Sequence, residues 1–197
     1  MSSAPDEVRA WAQARSEARG SREWAEADRL RALIEAAGWR VIDQGTRFSL
    51  EPAHAPDIVE EGRVRYGASD AVPSRLAEPA SGSISVVVVA TDRSAELRRT
   101  LDALRRHAPA GCQVVIVADQ PDPAQEAALL DPGGLALIAG APPELVWTSV
   151  RLGQAGALNA GLRRAAGPIV LLLDPSVELT GDLLGPLIAA FDDPGVA

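Results

Sequence analysis

Residues 150–177 read VRLGQAGALNAGLRRAAGPIVLLLDPSV, and this stretch decides the fold of the chain. A helix begins near Gly153 and stops at Gly167-Pro168, after which the apolar run 169–173 has the length of a strand and ends at Asp174. A buried parallel strand with a carboxylate at its carboxyl end is how open α/β sheets place polar groups in a ligand crevice. The stretch therefore predicts half of a nucleotide-type binding site.

The residues before this stretch follow the same alternation. Two continuous β-branched runs are typical of strands covered on both faces, and each is followed by a segment with helical periodicity. The predicted strands are 84–90, 113–118, 135–138 and 145–150, and the predicted helices are 94–107 and 123–130. Strand, helix, strand, helix in this order predicts an α/β fold with a parallel sheet.

Residues 83–197 resemble the family-2 glycosyltransferases, whose GT-A fold is a Rossmann-like sheet that binds a nucleotide-diphosphate sugar. In that family a segment N-x-G-x-x-x-A-x-N-x-G precedes the strand that ends in a metal-binding D-x-D. The chain matches the segment at four positions, and an arginine replaces its first asparagine: Gly153, Ala157, Asn159, Gly161 and Arg151. In the place of D-x-D it has Asp174, Pro175 and Ser176, so the first carboxylate is present and the second is not.

The resemblance implies which residues touch the donor. The loop after the first strand and the acidic residue after the second lie at the nucleotide in that family, and the position of the second is Ala118 or Asp119 here. The implied nucleotide-sugar contacts are Thr91, Asp92, Asp119, Gly153, Asn159 and Asp174. Asp174 would also hold a divalent cation, Mn²⁺ or Mg²⁺, because these ions prefer oxygen ligands and keep substrate phosphates in their shell.

Four of these residues also have a purely structural interpretation. Asp119 could be a turn residue before Pro121, and Asp174-Pro175 could be a turn that ends a strand. The glycines at 153 and 156 could interrupt a loop rather than approach a phosphate, and Asn159 could cap or brace the sheet crevice.

The implied reaction is inverting transfer of a sugar from a nucleotide diphosphate to an unknown acceptor. It needs a carboxylate that deprotonates the acceptor hydroxyl, and in the family this base lies in an acceptor-binding half that follows the segment matched here. We therefore expect a truncated GT-A domain that needs further residues or a partner for activity. The alternative is an inactive interaction module, which associates through an exposed sheet edge.

Residues 1–50 predict a separate small module. Two helical segments, 8–19 and 24–37, are followed by an alternating pattern around a glycine turn at 43–46, which is typical of a β-hairpin. Residues 8–50 resemble the C-terminal helical extension of cysteinyl-tRNA synthetases, without that enzyme's catalytic motifs or zinc ligands. Docking or stability is the favoured role, and tRNA binding is the alternative, through five arginines that alternate with acidic residues: Arg15, Arg19, Arg22, Arg29 and Arg31.

Composition limits the remaining possibilities. Residues 51–82 are rich in Pro, Ala, Gly, Ser and Glu and predict a linker with some local order, which leaves 83–197 as the second domain. A net charge of -8 over 197 residues argues against a general nucleic-acid-binding surface. The single cysteine, Cys112, excludes an internal disulfide, and the absence of a signal-like or membrane-length apolar segment predicts a cytoplasmic protein.

Overall fold

The computed structural model describes residues 4–45, 47–131, 135–193 and 195–196, and it divides into two compact units. The units are Met1–Ala55 and Pro56–Ala197. The predicted divisions at 50 and 82 differ from this boundary, because most of the predicted linker belongs to the second unit.

The first unit consists of two helices and a β-hairpin, as predicted. Helix α1 (Asp6–Gly20) and helix α2 (Trp24–Ala36) precede strands β1 (Trp39–Gln44) and β2 (Arg47–Pro52), which pair in antiparallel fashion. Its core is formed by one side of the helices and the start of the hairpin, and includes Val8, Ala12, Ile34 and Trp39. Thr46, in the predicted turn, lies outside the described residues.

The arginines of the first unit pair largely with its own carboxylates. The guanidinium of Arg15 is buried and donates two hydrogen bonds, of 2.9 and 3.0 Å, to the two carboxylate oxygens of Asp43. These bonds hold the pKa of Asp43 below its usual value. The other pairs are Arg9–Asp6, Arg19–Asp43, Arg29–Glu26 and Arg31–Glu35. The Arg15–Asp43 pair joins α1 to β1 within the unit.

The second unit is built on a six-stranded sheet in the order β3-β4-β7-β6-β5-β8. Its strands are β3 (Ile58–Glu60), β4 (Arg63–Tyr66), β5 (Ile84–Ala90), β6 (Cys112–Ala118), β7 (Glu144–Thr148) and β8 (Val170–Leu173). Its helices are α3 (Ser94–His107), α4 (Pro123–Leu130), α5 (Gly153–Arg164) and α6 (Leu184–Ala190). All neighbouring strands run parallel except β3 and β4, so the predicted α/β fold with a parallel sheet is confirmed.

Two strands lie where a linker with some local order was predicted, and one predicted strand is absent from the described residues. The predicted linker contains β3 and β4, and β4 joins the sheet by pairing with β7, although its composition is charged. The charge is accommodated because the guanidiniums of Arg63 and Arg65 both lie 5.2 Å from the centre of the Trp147 ring. The strand predicted at 135–138 is absent, and only an isolated bridge joins Ile138 to Ala141.

The helices cover the two faces of the sheet. Helices α3, α4 and α6 pack on one face through apolar residues that include Leu97, Leu101, Leu129 and Leu184. Helix α5 packs on the other face through Ala157 and Ala160. None of the helices in the described ranges is both long enough and apolar enough to cross a membrane.

The direction of the chain reverses beside β5. From β5 the chain proceeds to β6 and then to β7 on one side, and helix α5 then carries it back to β8 on the other side of β5. In open α/β sheets, ligands bind outside the carboxyl ends of the strands at such a reversal. The fold therefore places its expected ligand crevice between the ends of β5 and β8.

Candidate functional site

A cavity of about 370 Å³ opens at the point where the strand order reverses. Its wall is formed by the ends of β5 and β8 and by the first turns of α5. The residues that line it are Val89, Thr91, Asp92, Arg93, Gln154, Leu158, Leu172, Leu173, Asp174 and Pro175. Three of the six predicted contacts, Thr91, Asp92 and Asp174, are therefore brought together, and the other three do not line this cavity.

The loop after β5 contributes a short polar run to the cavity. The hydroxyl of Thr91 donates to the carboxylate of Asp92 over 2.9 Å, and this carboxylate is exposed. Arg93, the residue before α3, pairs with Glu96 in the first turn of that helix at 3.2 Å. The loop thus presents one carboxylate and one guanidinium next to each other.

Asp174 ends β8 in a tight turn and still lines the cavity. Its Oδ1 accepts hydrogen bonds from the backbone N–H of Ser176 at 2.8 Å and from the Ser176 hydroxyl at 2.6 Å. These two bonds, with a smaller contribution from the charge of Arg93, hold the pKa of the Asp174 carboxyl below its usual value. The two interpretations of Asp174 are compatible, because the turn uses Oδ1 and the described residues donate no hydrogen bond to Oδ2.

Asp119, by contrast, is almost completely buried, with 1% of its surface exposed. Its Oδ1 accepts from the backbone N–H of Leu152 at 2.7 Å and from the Thr148 hydroxyl at 3.2 Å. Its Oδ2 accepts from the backbone N–H of Gly153 at 3.1 Å. The carboxylate therefore joins the end of β6 to the beginning of α5, and this bonding leaves it little capacity to accept from a nucleotide.

The other two predicted contacts also have different surroundings in the structure. The backbone N–H of Gly153 is bonded to Asp119, and its φ of +74° is one that glycine adopts without strain. Asn159 is exposed and lies next to Leu158 on α5, whereas Gln154 and Leu158 line the cavity. Residues four positions apart share a helix face, and Asn159 is rotated away from that face by about 100°.

Sequence reasoning did not assign seven of the ten lining residues as contacts, among them Arg93, Gln154 and Leu158. Gln154 and Leu158 had a usable signal, because their spacing places both on one side of α5. Arg93 had none, since an arginine at a helix start most often pairs with a nearby glutamate, as this one does with Glu96.

The carboxylates of the cavity could hold a divalent cation only if a bound ligand supplied further oxygen atoms to that cation. Within the described ranges, no three acidic, histidine or cysteine side chains form a group that could hold a metal ion by themselves. Ser176 donates its hydroxyl hydrogen to Asp174 and so supports that carboxylate. Asp174 can offer Oδ2 to a divalent cation, but most of the remaining ligands would have to come from diphosphate oxygens and water.

Comparison with known proteins identifies the family. A search of curated proteins gives no match to this chain. The model of glycosyl transferase family 2 matches residues 85–197, which is more than half of the chain and includes every residue that lines the cavity. Members of this family use a nucleotide-sugar donor and an acceptor, and generally a divalent cation. The chain therefore belongs to glycosyl transferase family 2.

Proposed function

We propose that the second unit binds a nucleotide-diphosphate sugar in the cavity between β5 and β8. The observation that carries this proposal is the coincidence of the cavity with the reversal of strand order, where Asp92 and Asp174 come together. A volume of about 370 Å³ lies in the range of small-molecule sites. The mixed lining fits a ligand that has apolar and strongly polar parts.

The residues that line the cavity suggest which part of the donor each of them would contact. Val89, Leu158 and Leu172 offer apolar surface to a planar or sugar ring. Asp92 offers carboxylate oxygens to ribose hydroxyls or to the N–H of a base, and it takes this role in place of the buried Asp119. Gln154 offers both a donor and an acceptor.

Asp174 is the residue that would hold a divalent cation against the diphosphate. Its carboxylate remains ionised below the usual pH range for aspartate, because Ser176 donates to it twice. When bound, such a cation neutralises charge that develops on the leaving diphosphate. Ser176 fixes the orientation of Oδ1 and so leaves Oδ2 for this contact.

Sugar transfer with inversion requires one more group. A carboxylate must accept the proton of the acceptor hydroxyl on the face opposite the leaving group. We propose that the described cavity supplies donor recognition and that this base is a residue outside its lining. The first unit then serves as a docking or stability module, since its buried arginine, Arg15, is held by Asp43 within the unit.

Titration calorimetry tests this proposal directly. UDP-sugars and GDP-sugars are titrated into the whole chain with Mn²⁺, with Mg²⁺ and with EDTA. We expect metal-dependent binding that is lost in Asp174→Ala and kept in Asp102→Ala, because Asp102 is an exposed carboxylate on α3 that pairs with Arg105 away from the cavity. The absence of binding by any nucleotide sugar under all three conditions would overturn the proposal.

A further inference from the structure

The cavity contains a positive charge that family membership does not explain. Among the described residues that line it, only Arg93 carries a positive charge, whereas Asp92 and Asp174 are both acidic. We propose that Arg93 binds the diphosphate of the donor directly and supplies charge neutralisation in the site that lacks a second D-x-D carboxylate. This proposal rests on the proposed donor binding and assigns a specific contact within it.

The electrostatic balance of the cavity requires a cationic contact. Two carboxylates repel a diphosphate, and a cation held by only one of them is less firmly attached than a cation held by two. Arg93 offsets one of the two negative charges before any ion arrives. A guanidinium presents several N–H donors in a planar arrangement that matches phosphate oxygens. It can therefore neutralise diphosphate charge that a cation held by two carboxylates would otherwise neutralise.

Arg93 is close to the place where the diphosphate would lie. It lines the same cavity as Asp174, and its charge contributes to the lowered pKa of that carboxyl. It also precedes α3 directly, next to Thr91 and Asp92, so that the backbone of the loop fixes its position at the mouth of the cavity. A ligand that contacts both Asp92 and Asp174 would therefore lie in the same cavity as the guanidinium.

Arg93 is available because its present partner holds it weakly. It pairs with Glu96 at 3.2 Å, and the two side chains are 60% and 32% exposed. Pairs of this kind contribute little to stability, because water competes for both groups. Exchanging Glu96 for a diphosphate, which carries more charge, would therefore meet little resistance.

Four variants separate a phosphate contact from a structural role. They are Arg93→Gln, Arg93→Lys, Glu96→Gln and, as a matched control, Arg99→Gln on the exposed side of the same helix. Calorimetry with UDP and GDP in Mn²⁺ measures Kd, displacement by uridine and guanosine measures the contribution without phosphates, and thermal melting checks the fold.

The expected result is selective loss of diphosphate affinity. Arg93→Gln should weaken UDP or GDP binding about tenfold or more, the usual effect of removing a hydrogen bond to a charged group, and should leave nucleoside binding within about twofold. Arg93→Lys should recover part of the loss, since it keeps the charge. Glu96→Gln should bind as well as the parent chain or better, and Arg99→Gln should be unchanged.

Three outcomes would overturn the assignment. If the Kd of Arg93→Gln for UDP or GDP is within twofold of that of the parent chain, Arg93 does not contact the diphosphate. Equal weakening of nucleoside and diphosphate, or equal weakening by Glu96→Gln, shows that the 93–96 pair acts only by shaping the loop. If the parent chain itself binds no nucleotide, donor binding fails and this assignment fails with it, whereas binding that ignores Arg93 leaves donor binding intact.

Discussion

The ends of β6 and β8 each carry an aspartate, and the two residues have opposite surroundings. Asp119 follows β6, is buried, and takes three hydrogen bonds from Thr148, Leu152 and Gly153. Asp174 follows β8, is exposed at the cavity, and takes hydrogen bonds only from Ser176 within the described residues. Both positions satisfy the rule that strand ends carry functional carboxylates, but only one of them leaves oxygen atoms available to a ligand.

The neighbours of a strand therefore determine the role of the residue that follows it. β6 lies between β5 and β7, and the chain that returns from β7 to α5 passes over its end and supplies backbone N–H groups. β8 is an edge strand with β5 as its only partner in the described sheet. Asp119 therefore has a structural role, and Asp174 is the carboxylate that we propose contacts the donor.

The largest expected effect comes from removing the buried carboxylate. Asp119→Ala leaves the N–H groups of Leu152 and Gly153 without their acceptor, which should lower the free energy of unfolding by about 2 to 4 kcal/mol. Asp119→Asn should lower the free energy of unfolding by less, because its side-chain amide oxygen still accepts a hydrogen bond. Urea unfolding measures both variants, and Asp174→Ala, as the exposed counterpart, should lie within about 0.5 kcal/mol of the parent chain. Equal destabilisation by the two alanine variants would contradict the comparison.

A smaller effect is expected from crowding the helix that Asp119 anchors. A Cβ added at Gly161 would lie 2.3 Å from Cγ1 of Val87 and 3.1 Å from Cγ2 of Val117, so Gly161→Ala must push α5 away from β5 and β6. We expect a loss of about 1 to 3 kcal/mol in urea unfolding, as for other overpacked sites. Gly181→Ala is the control, because its Cβ would meet no atom within 4 Å. A Gly161→Ala variant as stable as this control would show that α5 can shift freely.

The smallest effect concerns the exposed carboxylate. Ser176→Ala removes the hydroxyl bond to Asp174 and keeps the backbone one, so the pKa of Asp174 should rise toward the usual value without reaching it. Because donor binding requires the ionised form, it should be lost at a higher pH in this variant as the pH falls. NMR titration of the Asp174 carboxyl measures the shift, and Ser74→Ala, an exposed serine elsewhere, should not change it. An unchanged pKa in Ser176→Ala would show that the hydroxyl does not stabilise the charge.

Local sequence patterns predict strands β5 to β8 of the sheet and one half of the site. The hydrophobic pattern of β5, β6 and the stretch 150–177 indicates directly which residues are buried. The positions of α5, β8 and Asp174 could therefore be predicted from spacing. The role of Asp119 could not, because its partners Leu152 and Gly153 are more than thirty positions away in sequence. No local sequence pattern indicates a hydrogen bond between residues so far apart in the chain.

The first strands of the sheet were missed for a related reason. Strand β4 consists of Arg63, Val64, Arg65 and Tyr66, and an alternation of charged residues in a segment rich in proline and glycine is typical of a linker. Its burial depends on the ring of Trp147, which the arginines cover, and on carboxylates such as Glu126 that pair with Arg65. These partners are contributed by β7 and α4, elements that come later in the chain.

The position of β4 sets an order in which the sheet can assemble. Arg65 pairs in register with Trp147, so β4 must wait until the chain has closed a loop that contains both β5 and β6. Contacts that span long loops form late in folding, because the entropy of loop closure is lost before any contact is gained. The β3–β4 hairpin at one edge of the sheet and β8 at the other, which pairs with β5 over a sequence separation of similar length, should therefore both join after β5, β6 and β7 have paired. The proposed donor site, which lies between β5 and β8, would then be completed only after the centre of the sheet has formed.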